Sequence, residues 1–193
     1  MKDIVLQIFE ESIKVKEKFV RDHTDAMLRV AERLAACLKA ENKLLLFGNG
    51  GSAADAQHIA AEFVNRFQVE RPPLAALALT TDTSILTSIG NDYDFNTIFS
   101  KQIRALGKKG DMALGISTSG NSSNVIEAMD VAREMGLYTV GLTGCGGGGM
   151  KECSDEIFVV DSSVTARIQE THITVGHVLC ELVERMLFPE EKS

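Results

Sequence analysis

Apolar residues follow two different rhythms along this chain. Up to Ala40 they recur at helical spacing, in two sets. Ile4, Ile8, Phe9, Ile13 and Val15 approximate one stripe, and Ala26, Met27, Val30, Ala31, Leu34, Ala35 and Leu38 form a second. Residues three and four apart share a helix face, so this segment predicts two N-terminal helices that cover a core or meet a partner subunit. From Lys43 the rhythm changes to short apolar runs, each ending in small polar residues and followed by a helical pattern.

Five such runs predict strands at Leu44 to Phe47, Leu74 to Leu79, Asp111 to Ile116, Tyr138 to Leu142 and Ile157 to Val160. Helices are expected over Ala53 to Phe67, Thr83 to Ile89, Asn124 to Met135 and Thr165 to Leu187, the last closing the domain. Strands alternating with helices imply an α/β fold, a mainly parallel sheet with helices on both faces. No repeat, long linker or low-complexity segment interrupts the pattern, so residues 1–193 read as one domain. Ligands of open parallel sheets bind beyond the carboxyl ends of the strands. Two glycine- and serine-rich loops stand at such ends.

The first is Gly48-Asn49-Gly50-Gly51-Ser52, where glycines let the backbone approach a ligand closely. It is neither a G-x-G-x-x-G dinucleotide loop, because Ala53 stands at the third glycine position, nor a Walker loop, which ends in Gly-Lys-Ser/Thr. The second is Ser117-Thr118-Ser119-Gly120-Asn121-Ser122. One helix N-cap needs a single such residue, whereas here five hydroxyl or amide side chains fall in six positions. Together with the amides of the following helix start they suit a phosphate monoester without any lysine. A third glycine-rich run, Gly146 to Gly149, lacks polar neighbours and reads as a flexible turn.

Net charge changes the choice of ligand. At −7 the chain offers no general positive field, which argues against nucleic acid and anionic membrane as partners but leaves room for one small phosphate pocket. An apolar content of 45% with 24% charged residues is that of an ordinary globular domain. Cys37, Cys145, Cys153 and Cys180 are scattered, with no CxxC pair, and the N-terminus lacks a continuous apolar signal region. Both features point to a cytoplasmic protein.

Titratable residues supply the candidate chemistry. His58 and Glu62 are four apart on the helix after the first loop, and so share a face. On their own they read rather as a solvent-exposed, helix-stabilising pair. On the last helix Gln169 and His177 lie on about one face through Ile173, while His172 points elsewhere and reads as structural or interfacial. Two imidazoles, a carboxylate and an amide oxygen are a donor set suited to a divalent metal such as zinc.

Taken together, Gly48 to Ser52, His58 to Glu62, Gly90-Asn91-Asp92, Gly115 to Ser122, Arg167-Ile168-Gln169-Glu170 and His177 resemble the sugar isomerase (SIS) domain family, and within it the phosphoheptose isomerases. The resemblance spans nearly the whole chain. It implies a three-layer sandwich with a five-stranded parallel sheet, assembled as a homotetramer with active sites between subunits. It implies substrate contacts from Asn49, Gly50, Gly51, Ser52, Glu62, Asn91, Asp92, Ser117, Thr118, Ser119, Ser122 and Gln169. It implies one zinc ion per subunit held by His58, Glu62, Gln169 and His177. The expected reaction converts sedoheptulose 7-phosphate to D-glycero-D-manno-heptose 7-phosphate through an enediol(ate), with Glu62 as base and His177 as acid. A metal-bound carboxylate is a weaker base, and the sequence leaves open whether Glu62 serves as base, ligand or both. Ala166 departs from the pattern, since some members of the family carry an acid just before Arg-Ile-Gln.

Two other readings compete. A related SIS subfamily acts as a non-catalytic tetrameric adaptor for the replication initiator protein, and this chain shares with it Glu70-Arg71-Pro72, Lys101 to Leu106 and Leu187-Phe188-Pro189. An adaptor has no physical need for Glu62 and His177, which favours the isomerase. A sugar-phosphate-sensing regulatory module would bring a DNA-binding segment, and no basic helix-turn-helix stretch precedes residue 40.

Overall fold

The computed structural model describes residues 1–189. Five parallel strands, β1 (Leu44–Gly48), β2 (Ala76–Ala78), β3 (Met112–Ser117), β4 (Tyr138–Gly144) and β5 (Glu156–Val160), form one sheet in the order β2-β1-β3-β4-β5. Seven helices accompany them: α1 (Lys2–Lys39), α2 (Gly51–Val64), α3 (Thr83–Asp92), α4 (Ser100–Leu106), α5 (Ser123–Glu134), α6 (Met150–Cys153) and α7 (Thr165–Leu187).

Alternation along the central strands builds two cores. Leu44 and Leu46 of β1, with Met112, Leu114 and Ile116 of β3, face α1, α2 and α7, whose Leu34, Ile59, Phe63, Val175 and Leu179 are buried there. Leu45, Phe47 and Ala113 face the opposite layer and pack with Ile103 of α4, Val125 and Met129 of α5 and Met150 of α6. The expected three layers are present. β2 is an edge strand and pairs only with β1, in register Leu44↔Ala76. It is shorter than the predicted Leu74–Leu79 run. Pro72 and Pro73 just before it lack ladder N–H groups, and the Leu74 N–H goes to the Phe63 carbonyl instead.

The two predicted N-terminal helices are one. Nothing between the two stripes breaks a helix: Asp22-His23-Thr24-Asp25 is polar but has no Pro or Gly. The result is a 38-residue helix, about 57 Å long. Its second stripe covers the sheet as expected. Of its first, only Val15 packs against the core, while Ile4, Ile8, Phe9 and Ile13, with Val5 and Leu6 beside them, stay 44–66% exposed.

The run Gly146 to Gly149 is also more than a flexible turn. Gly146, Gly147 and Gly148 all have positive φ, and the segment packs against the Ser117–Ser122 loop. The Gly149 N–H donates to Asn121 Oδ1 at 3.0 Å and the Met150 N–H to the Gly120 carbonyl at 3.0 Å.

Candidate active site

In the order β2-β1-β3-β4-β5, the chain leaves β1 in one direction and β3 in the other, so the crevice at their carboxyl ends is the topological switch point. Both candidate loops sit there. The first follows β1 and starts α2, with Gly50 at φ 56° as the residue before the helix. It is tied to the second by a reciprocal amide pair: Asn49 Nδ2 donates to Asn124 Oδ1, and Asn124 Nδ2 to Asn49 Oδ1, both at 2.9 Å. Nothing in the sequence singled out Asn124, because its partner lies 75 positions away.

The second loop turns back on itself after β3. Ser117 and Ser122 hydroxyls are 2.9 Å apart, and Ser119 Oγ accepts the Asn121 N–H at 3.1 Å. Ser122 precedes α5 but makes no side-chain cap with it, so its hydroxyl is not committed to the helix. Ser117 is buried, Thr118 and Ser122 half-buried and Ser119 exposed. These hydroxyls stand beside the start of α5, a polar setting of the kind that suits an anion.

α2 and α7 run side by side in the same direction. A side chain at Gly51 would strike the Gln169 amide at 2.5 Å, and one at Gly176 would strike Ile59 at 2.6 Å, so two glycines let the helices close up. That packing brings the predicted imidazoles together across the helix boundary. His58 Nε2 lies 2.9 Å from His177 Nε2 and 3.4 Å from Glu62 Oε1. Glu62 is one-quarter exposed and His58 half exposed, so the cluster faces outward beside the loops. Gln169 lies against the first loop at Gly51.

Other neighbours shape this surface. Asp55, one turn before His58, is half-buried with Oδ2 unpartnered; burial raises its pKa and His58 opposes the rise. Burial, then the Glu62 charge, pushes the Cys180 thiol to about 12 and keeps it protonated. His172 is fully buried as a structural residue, and burial drives its pKa down to about 4. Asn91 and Asp92 are not drawn in. They end the exposed helix α3, bonded to each other at 2.8 Å. Ala166 is exposed at the start of α7. A groove of about 520 Å³ lined by Arg33, Asn42, Asp111, Arg133 and Tyr138 shares no residue with the cluster.

The SIS domain family model matches residues 7–144 of this chain. A phosphoheptose isomerase from Nitratidesulfovibrio vulgaris is 58% identical over 185 residues, covering 96% of this chain and 89% of the relative. The chain belongs to the phosphoheptose isomerase family. A phosphoheptose isomerase from Aquifex aeolicus is 56% identical over 97% of this chain and 98% of its own length. Among solved structures, the phosphoheptose isomerase of Neisseria gonorrhoeae superposes with a TM-score of 0.89 at 46% identity, covering 95% of this chain and 98% of that one. That of Francisella tularensis gives 0.91 at 37% identity, covering 95% and 97%.

The donor types expected for a metal are neighbours: the His58 imidazole stands 2.9 Å from that of His177 and 3.4 Å from a Glu62 carboxylate oxygen, and Gln169 lies on α7 against Gly51. They therefore suit a borderline cation such as zinc. Their spacing is that of a hydrogen-bonded cluster. Zinc–nitrogen bonds of about 2.0–2.1 Å in a tetrahedron hold two ligand nitrogens roughly 3.3 Å apart. Among the described residues no group of three or more His, Cys, Asp or Glu is already set at metal-holding spacing.

Proposed function

We propose that this chain interconverts sedoheptulose 7-phosphate and D-glycero-D-manno-heptose 7-phosphate, an aldose–ketose isomerisation. The observation that carries the reading is the meeting of His58, Glu62 and His177 from two helices, beside a hydroxyl-rich loop at the sheet's switch point. Family membership at more than half identity over nearly the full length supports the same activity.

The substrate's phosphate docks on Ser117, Thr118, Ser119 and Ser122, at the positive end of α5. The flat first loop, Asn49 to Ser52, then lies along the sugar chain, and Gln169 reaches it from α7. Moving the carbonyl from C2 to C1 requires a proton to leave C1 and one to arrive at C2, with charge developing on the oxygens between. Glu62 removes the C1 proton and returns it at C2. His177 protonates the C2 oxygen and then takes the proton of the C1 hydroxyl as the aldehyde forms, which returns both side chains to their starting states. We assign zinc to His58, Glu62, Gln169 and His177. When bound it polarises the carbonyl and hydroxyl oxygens of the substrate.

The exposed surfaces support a reading of assembly. The apolar stripe Ile4 to Ile13 of α1 is a patch that water-facing proteins normally cover. We propose a cytoplasmic homotetramer with active sites between subunits, which gives the exposed Asn91 and Asp92 a neighbouring site to serve. Among the described residues no helix is long and apolar enough to cross a membrane. The product would feed nucleotide-activated heptose synthesis for lipopolysaccharide or other surface glycans. The test is incubation of the pure protein with sedoheptulose 7-phosphate, with and without zinc, following the aldose product. A folded, zinc-supplied protein that forms none of it would overturn the assignment.

A further inference from the structure

Beyond the His58–Glu62–His177 cluster, the α2–α7 boundary holds a second constellation that this chemistry does not use. Arg71 and Glu184 form an ion pair whose side chains are only 2% and 4% exposed, Nε to Oε1 at 2.9 Å. The rest of the guanidinium goes to backbone carbonyls. Nη2 donates to the Glu62 carbonyl at 2.8 Å, and Nη1 to those of Phe63 at 2.9 Å and Pro72 at 3.1 Å. The Glu62 and Phe63 carbonyls belong to the last turn of α2, which has no helical amides left to offer them, and Phe63 also accepts the Leu74 N–H.

Glu184 is saturated from the other side. Oε1 also accepts the Phe67 N–H at 3.2 Å, while Oε2 accepts those of Gln68 at 2.8 Å and Val69 at 3.1 Å. Burial alone would raise its pKa. The amides of Gln68, Val69 and Phe67 and the Arg71 guanidinium outweigh burial and hold it below the ordinary carboxylate value. The pair therefore stays charged, and it pins the whole Phe67–Arg71 loop to α7.

Both ends of this clamp lead to the reacting side chains. Arg71 holds the very residue, Glu62, that supplies the carboxylate. Glu184 lies on the face of α7 that also carries His177 (i, i+7). Phe67, whose N–H it fixes, sets its ring 5.6 Å from the His177 imidazole at an interplanar angle of 30°. We propose that Arg71 and Glu184 are positioning residues for the isomerisation, setting the distance between Glu62 and His177 through the Glu62 carbonyl and the Phe67 ring. Neither touches substrate. The inference rests on Glu62 and His177 being the acid–base pair. A buried ion pair is weak evidence for stability in itself, so a purely structural role is the outcome to be excluded.

Steady-state kinetics on sedoheptulose 7-phosphate separate the two. Glu184→Gln keeps the shape but loses the charge, and Phe67→Ala removes only a half-buried ring. Misplacement by an ångström costs up to about a hundredfold, so kcat per folded protein should fall by about tenfold or more in both. KM should stay within about twofold, because the Ser117–Ser122 loop hangs from β3 and α5, which the clamp does not touch. A structural pair would lower the melting temperature and leave kcat per folded protein at the wild-type value, and that result overturns the proposal. If Glu184→Gln fails to fold, Phe67→Ala decides alone, and wild-type kcat in that variant is equally fatal. Wild-type protein without turnover would overturn the isomerase reading first, and the clamp with it.

Discussion

Replacing Gly120 with Ala should damage this protein far more than replacing Gly146, although both residues are glycines with positive φ in neighbouring loops. Gly120 has φ 66° and Gly146 φ 78°, so an Ala at either pays for the left-handed backbone, about 1 kcal/mol. Their surroundings differ. A β-carbon at Gly120 would overlap the Gly147 carbonyl, with the carbonyl carbon at 2.5 Å and Thr143 Oγ1 at 2.7 Å. At Gly146 nothing lies within 4 Å. The Gly120 obstacle is backbone, which cannot rotate away, so overpacking adds about 1–3 kcal/mol. Gly120→Ala should therefore cost about 2–4 kcal/mol and Gly146→Ala about 1 kcal/mol. For a chain of this size, at about 2–4 °C per kcal/mol, that is a melting-point drop of roughly 4–16 °C against 2–4 °C. Thermal melts at one fixed protein concentration measure it, since the proposed assembly would make the midpoint concentration-dependent. The KM of Gly120→Ala should also rise by about tenfold, because the serine loop must part from the glycine run. Equal melting-point drops in the two variants would refute the packing argument.

Three further outcomes are expected. Ser119→Ala with Ser122→Ala should raise KM by about tenfold or more while kcat changes less, and an unchanged KM would place the phosphate elsewhere. His172 is held near 4 in the fold against about 6.5 in the unfolded chain, so between those values the unfolded chain binds more protons. Its contribution is whole above about pH 6.5 and falls away by up to about 3 kcal/mol as pH drops toward 4; His172→Leu should flatten melting temperature against pH over that window, and an unaltered slope would contradict the burial argument. Dialysis against a chelator should abolish turnover and zinc should restore it, whereas chelator-resistant turnover would remove zinc from the site.

Local pattern made much of this fold legible, and distance hid the rest. The closing helix runs from Thr165 to Leu187 as its apolar spacing predicted, and all five strands lie within two residues of the expected bounds. Strand order could not be read, because parallel pairing depends on crossovers and not on any one segment. α4 and α6 escaped because helices of seven and four residues are too short to show a period. The single α1 was missed because a change of buried face resembles a break. At the site, His58, Glu62, Gln169 and His177 were each visible, but the contact between His58 and His177 spans 119 positions. Arg71 stood in a noted motif without a role, and only its buried partner Glu184 gives it one.

The most direct measurement compares wild type with Glu62→Gln on sedoheptulose 7-phosphate, each folded and supplied with zinc, by the rate of aldose formation. Loss of turnover by a factor of about a thousand or more, with assembly and melting temperature unchanged, is the predicted result for a carboxylate that moves the proton. Turnover near the wild-type rate in that variant would contradict the account at its centre.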